Sequence, residues 1–280
     1  MGATEKPAIS AIVPVYNRAG TIGRALDSIA AQTHPADEVI VVDDGSTDGL
    51  GEVVARDYPD VTVIRQDNAG VSVARNRGVA AATGEWIALL DSDDEWRPTK
   101  LERQSQALAG NPGFHLCHTN EIWIRNGRRV NEGKRHKKSG GHIFRKCLPL
   151  CVISPSSVVI RRELLAELGG FDESLPVCED YDLWLRICAR HPVLFVEEAL
   201  TVKYGGHDDQ LSRRFSGMDR FRILAIDKVL DEDVLGDADR EAAVGTLLEK
   251  AAVYLGGAEK RGKLEDAALY EALRHKYNSR

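Results

Sequence analysis

The apolar run Trp86-Ile87-Ala88-Leu89-Leu90 ends abruptly in Asp91-Ser92-Asp93-Asp94. A short, uninterrupted apolar run reads as a strand covered on both faces, so the chain must set these carboxylates at one end of a sheet. Like charges that close disfavour each other's ionised form unless a cation lies among them. A divalent metal carrying a phosphorylated substrate is one such cation, because it binds through one or two carboxylates and the substrate's own oxygens. The competing reading is an acidic turn leading into a helix near Pro98, since Asp and Ser are common turn and N-cap residues.

A second run, Val39-Ile40-Val41-Val42, also ends in carboxylates, in Asp43-Asp44-Gly45-Ser46-Thr47-Asp48. Ligands of open α/β sheets gather beyond the carboxyl ends of the strands, so two acidic strand ends can share one crevice. A third strand, Ile9 to Val15 with Pro14, leads into Tyr16 and Asn17, an aromatic and an amide suited to packing on and hydrogen-bonding a nucleobase. The order strand, helix, strand, helix, strand and the paired acidic ends point to an α/β enzyme handling a nucleotide diphosphate.

The segments Pro14-Val15-Tyr16-Asn17, Gln32-Thr33, Val42 to Asp48, Asn76-Arg77-Gly78 and Asp91-Ser92-Asp93-Asp94 resemble family 2 glycosyltransferases of the GT-A fold. Gly169-Gly170-Phe171-Asp172-Glu173 and Glu179 to Arg186 resemble the acceptor-side segment of the same family. Each motif is weak alone, whereas their joint order is specific; from about Gly217 onward no family motif is placed. The resemblance implies a Rossmann-like mixed sheet flanked by helices in a catalytic domain over residues 1–215, followed by a helical extension over 216–280. It also implies an inverting transfer of sugar from a nucleotide-diphosphate donor, uridine leading, to a hydroxyl acceptor such as a glycan or a lipid-linked saccharide.

Residue by residue, the resemblance places Asp44 against the N–H of a uracil-type base, with an Asx turn before Gly45 as the competing reading. Tyr16 lies against the base or packs in the core. Arg75 or Arg77 neutralises the diphosphate or holds Asp44, and a surface arginine is the alternative. Asp93 is the expected ligand of Mn²⁺ or Mg²⁺, with Asp91 and Ser92 at the ribose or a metal-bound water. His207, in Lys203-Tyr204-Gly205-Gly206-His207, is offered as a further ligand, although a lone histidine in a Gly-flanked loop is commonly just solvated. Asp180 is the expected general base, kept ionised by the positive end of its helix, and Glu179 orients the acceptor or supports the base. Trp184 reads as core.

Composition sets outer limits. The chain has 280 residues, 43% of them hydrophobic, which suffices for one large α/β domain with an appendage. No apolar run approaches the roughly 18 residues of a membrane span, and Pro14 interrupts the first apolar stretch, so no signal segment is read. A cytoplasmic protein is expected, peripheral at most to the inner face of a membrane. The five cysteines form no C-x-x-C pair and suit reduced thiols. A net charge of -6 argues against general nucleic-acid binding. It conceals a Gly-interrupted basic segment, Arg125 to Lys146, read as a hairpin or mobile loop that is either simply solvated or, alternatively, a contact for a phosphate-bearing acceptor or an anionic membrane.

Helices are expected over 21–31, 50–58, 69–82, 98–109, 163–168 and 180–190, with strands over 61–65 and 157–161. Amphipathic helices follow Met218, broken near Gly236 and Gly256; Leu247, Leu248, Ala251 and Leu255 share a face that either covers the catalytic domain or forms a homodimer contact. Three rival classes are weighed. A sugar-phosphate nucleotidyltransferase lacks support because no early Gly-rich loop ends in a basic residue. A receiver-like switch leaves Gly169 to Arg186 unexplained, and a degenerate sugar-binding relative would not need acidic residues at both the metal and the base positions.

Overall fold

The computed structural model describes residues 7–131, 133, 136–206, 215, 217–260, 262 and 267–278. The strands β1 (Ile9–Val15), β2 (Glu38–Asp43), β3 (Thr62–Arg65) and β4 (Trp86–Leu89) lie parallel in the order β3-β2-β1-β4. Their alternating side chains feed two cores. Ile12, Ile40 and Val42 pack with Ala74 on one face, and Ala11, Val13 and Val41 pack with Ile22, Ala25 and Leu50 on the other. Those partners come from the connecting helices α1 (Ile22–Ala30), α2 (Leu50–Asp57) and α3 (Val71–Ala81). With β2 on one side of β1 and β4 on the other, the loops leaving β1 and β4 diverge and open a crevice between them. Gly78 lets α3 approach that sheet, since a Cβ there would stand 2.5 Å from Cγ2 of Ile12.

Beyond β4 the sheet becomes mixed. β8 (Val158–Arg161) runs antiparallel to β4 and to β6 (Leu116–Arg125), β9 (Leu194–Gly205) runs parallel to β6, and the short β5 (Glu95–Trp96) closes the far edge on β9. With β7 (Arg128–Val130) on β6, the sheet has nine strands, the mixed and helix-flanked architecture expected from the sequence. The remaining helices of this part are α4 (Lys100–Ala109), α5 (Phe144–Cys147), α6 (Arg162–Glu167) and α7 (Glu179–Cys188). Each expected helix and strand is present with its ends shifted by up to two residues, the usual uncertainty of helix ends. Thr21 stands at the start of α1 but forms no side-chain cap.

The basic segment opens as a hairpin, the first of its two expected forms. Asn126 and Gly127, both at positive φ (49° and 72°), make the two-residue turn that pairs Arg125 with Arg128. Lys138 is buried, donating from Nζ to the Val152 carbonyl (2.7 Å) and pairing with Glu121 (3.3 Å). Arg145 pairs with Asp239 at 2.5 Å. Two of these cations thus engage the protein's own carboxylates and carbonyls, while Lys134 and Arg135 lie outside the described residues.

The C-terminal part forms α8 (Asp219–Asp231), α9 (Asp237–Lys260) and α10 (Ala267–Asn278). The break at Gly236 is observed, whereas Gly256 lies inside α9 and ends nothing. Phe221, Ile226 and Val229 of α8 belong to the same apolar core as Leu183 and Trp184 of α7. Leu247, Ala251 and Leu255 are also buried there, so that face covers the chain's own core and is not free for a second copy. Among the described residues no helix is long and apolar enough to cross a membrane.

Candidate active site

A cleft of about 640 Å³ opens at the carboxyl ends of β1, β2 and β4, and residues at the starts of α7 and α8 complete its lining. Pro14, Tyr16, Asn17, Asp44, Arg75, Asp91, Ser92, Asp93, Glu179 and Asp180 all line it, so segments far apart in sequence converge on one site. Arg77 does not: it is exposed on α3 and absent from the cleft wall. His207 lies outside the described residues.

At the β1 end Tyr16 is 41% exposed, unusual for a large aromatic beside a buried strand, and offers its ring to the cleft instead of the core. Asn17 adopts φ 51°, uncommon for a residue other than glycine, and spends its amide oxygen on the Thr47 N–H (2.8 Å). It therefore fixes the loop after β2. Asp43 accepts from the Ser46 N–H at 2.8 Å and pairs with Arg65 at 3.0 Å. The Asp44 carboxylate accepts from the N–H groups of Ala69 (2.8 Å) and Gly70 (2.9 Å), from Gln66 Nε2 (2.8 Å) and from Asn68 Nδ2 (3.3 Å). Four donors fill the roughly four acceptor positions of a carboxylate, which anchors residues 66–70 at the rim of the cleft.

Arg75 bridges the two acidic motifs. Its guanidinium donates from NH1 to Glu179 Oε1 (2.6 Å) and from NH2 to Asp91 Oδ1 (2.8 Å), and it is 3% exposed. Burial alone would lower its pKa, but the charges of Asp91 and Glu179 prevail and hold it ionised. This arrangement corrects the expected contact with Asp44, which Arg75 does not make. It also shows that part of the charge balance asked of a metal is supplied by side chains.

Lys203 of β9 supplies more of it. Its ammonium lies 3.9 Å from Asp94 Oδ2, and its pKa is raised: burial opposes this, but the surrounding charges of Asp94, Glu121, Asp91 and Asp180 prevail. Asp94 is buried and accepts from Ser156 Oγ (2.6 Å) and the Tyr204 N–H (3.1 Å), tying the acidic turn to β9. Asp91 is kept low: burial works against it, yet Arg75 and Lys203 dominate. Asp93 goes the other way, raised by burial and by the charge of Asp91, and it forms no ion pair among the described residues.

No group of three or more His, Cys, Asp or Glu side chains among the described residues is arranged to hold a metal by itself. The donors present fit the sparser mode, in which a hard cation uses one or two carboxylates and substrate phosphate oxygens, and Asp93, which lines the cleft without an ion pair among the described residues, is the carboxylate best placed for it.

Across the cleft, Cys178 at φ 65° turns the chain into α7 and places Glu179 and Asp180 in its first turn. Glu179 is buried against Arg75, with its pKa pushed up to about 7 by burial, against the pull of Arg75. Its Oε1 faces the arginine, while the residue still lines the cleft beside Asp180. Asp180 is only partly buried; Oδ1 accepts from the Tyr181 N–H (2.7 Å) and Oδ2 from the Cys151 thiol (3.4 Å). Behind it, Asp182 and Arg186 pair at 2.7 Å, and Arg186 donates to the carbonyls of Leu168 and Gly170. Asn76 bonds to both the N–H (2.9 Å) and the carbonyl (2.8 Å) of Phe171, next to Gly170 at φ 70°. The motifs around 76, 170 and 182 are thus one support under Arg75 and α7. Trp184 is 1% exposed, as expected of a core residue.

With this geometry in view, the model of glycosyl transferase family 2 matches residues 10–169. The chain belongs to that family. An uncharacterized glycosyltransferase of Rickettsia felis is 33% identical over 223 residues, 75% of this chain, and the match spans 36% of that longer protein. The putative teichuronic acid biosynthesis glycosyltransferase TuaG of Bacillus subtilis is 40% identical over 108 residues, 37% of this chain and 42% of its own. Among solved structures, S. aureus TarS 1-349 in complex with UDP-GlcNAc aligns with TM-score 0.69 and 20% identity over 97% of this chain and 92% of that one. The mannosyltransferase PcManGT from Pyrobaculum calidifontis, in complex with GDP-Man and Mn²⁺, aligns with TM-score 0.63 and 23% identity over 99% and 83%. These likenesses establish a GT-A fold.

Within this family 2 site, sequence reasoning passed over Lys203, Asp94, Cys151 and Arg222. Lys203 and Tyr204 stand in the very segment singled out for His207, and both line the cleft. Arg222 and Met218 enter from α8, a region without motifs, so only the packing of α8 on α7 could reveal them.

Proposed function

We propose that the chain transfers a sugar, with inversion, from a nucleotide-diphosphate donor of the UDP type to a hydroxyl acceptor. The observation that carries this reading is the convergence of an exposed aromatic (Tyr16), an acidic turn whose Asp93 forms no ion pair among the described residues, and a partly exposed carboxylate on a helix N-terminus (Asp180) in a single cleft. Tyr16 packs on the base, the loop held by Asp44 borders it, and Arg18 and Lys203 lie on the wall beside the acidic turn. Asp93, with Asp91 beside it, would hold Mn²⁺ or Mg²⁺, which when bound supplies positive charge to the departing diphosphate.

Asp180 takes the proton of the acceptor hydroxyl as the oxygen bonds to the anomeric carbon. The bond from that carbon to the diphosphate oxygen breaks, and its electron pair leaves with the nucleotide. A displacement of this kind inverts the anomeric centre. A glycan or lipid-linked saccharide in cell-envelope synthesis is the acceptor class proposed.

Thermal unfolding in the presence of UDP, GDP or ADP, each with Mn²⁺, tests the donor reading, because a ligand that binds only the native state raises its apparent stability. UDP is expected to give the largest rise. A larger rise with GDP would reassign the base, and no rise with any of them would remove the nucleotide-sugar reading.

A further inference from the structure

A second, smaller pocket of about 250 Å³ meets the large cleft at Asp180 and is walled by β6 and its hairpin. The two cavities share Cys151, Asp180, Lys203 and Tyr204, so Asp180 is reachable from both sides. The smaller one falls below the roughly 300–1,000 Å³ of drug-sized ligand sites and suits a single ring more than an extended chain.

Its wall is amphipathic. Trp123 is partly exposed, and its indole is fixed at one edge by Nε1–H donating to Glu121 Oε2 (2.9 Å) and flanked by the His136 ring, centroids 5.1 Å apart at 64°. Glu121 pairs with Lys138 at 3.3 Å with side-chain exposures of 1% and 4%, and Ser154 donates to the same carboxylate. Removing an ion pair this completely from water costs more than an apolar wall would, and the arrangement makes sense as a set of fixed polar groups around an aromatic floor. A pyranose has that same division, apolar C–H faces and a polar rim of hydroxyls.

We propose that this pocket seats the acceptor as one pyranose ring lying on Trp123, which the buried Glu121–Lys138 pair holds in place, its attacking hydroxyl directed to Asp180 and its other hydroxyls read by Ser154 and Lys203. The assignment rests on the glycosyl-transfer reading above and adds the class of acceptor and the residue that selects it. Trp123 is a binding residue and takes no part in proton transfer.

Ligand-observed saturation-transfer NMR on the full chain, with UDP present, reads the pocket directly, using the methyl glycosides of glucose, galactose, mannose and N-acetylglucosamine as probes. At least one is expected to bind the parent. Trp123→Phe should retain it, and both Trp123→Ala and Trp123→Leu should weaken it roughly tenfold, about the loss of 1.4 kcal/mol. The leucine variant fills the space without an aromatic face, so retention of binding there would overturn the stacking role even if the alanine variant failed to fold. A parent that binds UDP but none of the glycosides would overturn the acceptor pocket alone. UDP affinity unchanged across the variants is expected, and a parent that binds no UDP would instead sink the donor reading on which the pocket's role depends.

Discussion

Asp180→Asn should lower sugar transfer, followed as nucleotide release from the donor with acceptor present, by about 10² to 10⁴, the usual contribution of a general base. Asparagine retains the oxygen that accepts from the Tyr181 N–H and keeps the size of the side chain, so α7 should start as before. UDP affinity should stay within a factor of about two, since the loss concerns a proton taken only in the transition state. Transfer near the parent rate would take the base role from Asp180. Glu179 is a poor substitute, because its carboxylate is buried against Arg75. A joint loss of UDP binding and transfer in a folded variant would make Asp180 a structural residue.

Arg75→Ala is expected to have the largest effect on stability. The substitution leaves Glu179 and Asp91 facing each other across a buried gap without the guanidinium that now bonds to both. Removing one partner of a buried ion pair costs about 3–5 kcal/mol, because the remaining charge cannot return to water. The melting temperature should fall on the order of 10 °C. Arg75→Lys keeps the charge but not the two-pronged geometry, so it should recover only part of the loss. An unchanged melting temperature in the alanine variant would mean that water or the carboxylates' own protonation replaces the arginine, and the bridge between the acidic motifs would lose its structural importance.

The parts of the molecule that the sequence made legible are those where local pattern and tertiary role coincide. β1, β2 and β4 are continuous apolar runs because helices cover both faces, and their polar terminators fall at the crevice because strand ends in such a sheet always do. That logic covers Asp93; Asp180, at a helix start 87 positions further on, was legible only through the family resemblance, and the structure sets both in one cleft. β6 was hidden because its first half carries His118 and Thr119, both 0% exposed, whose polarity interrupts the apolar signal while the Ser139 carbonyl and Thr201 hydroxyl engage His118 Nε2 and Thr119 Oγ1. β9 was hidden by Glu197 and Glu198, near the irregularity in its pairing with β6. The Asn126-Gly127 turn was the available clue to a β6–β7 hairpin, since that dipeptide favours a two-residue turn.

Charge partners were the least legible part. The acidic turn was read as requiring a cation, and the requirement was sound; which cation depends on spatial neighbours from α3 and β9 that no spacing rule connects to it. Arg75 was expected to serve the phosphates or Asp44, yet the nearest acceptors across the cleft are Asp91 and Glu179. The division that results is one of contacts: Asp91 pairs with Arg75, Asp94 lies 3.9 Å from Lys203 although burial still pushes it up to about 8, and Asp93 forms no ion pair among the described residues.

Titration calorimetry of UDP with and without Mn²⁺, on the parent and on Asp93→Ala and Asp93→Asn, addresses that division most directly. The expected result is binding by the parent that strengthens at least tenfold with Mn²⁺, and loss of that strengthening in both variants while the weaker metal-free affinity persists. UDP affinity in the parent that is indifferent to Mn²⁺, or a full metal response in both variants, would contradict the assignment of Asp93 as the ligand-facing carboxylate of a nucleotide-sugar site.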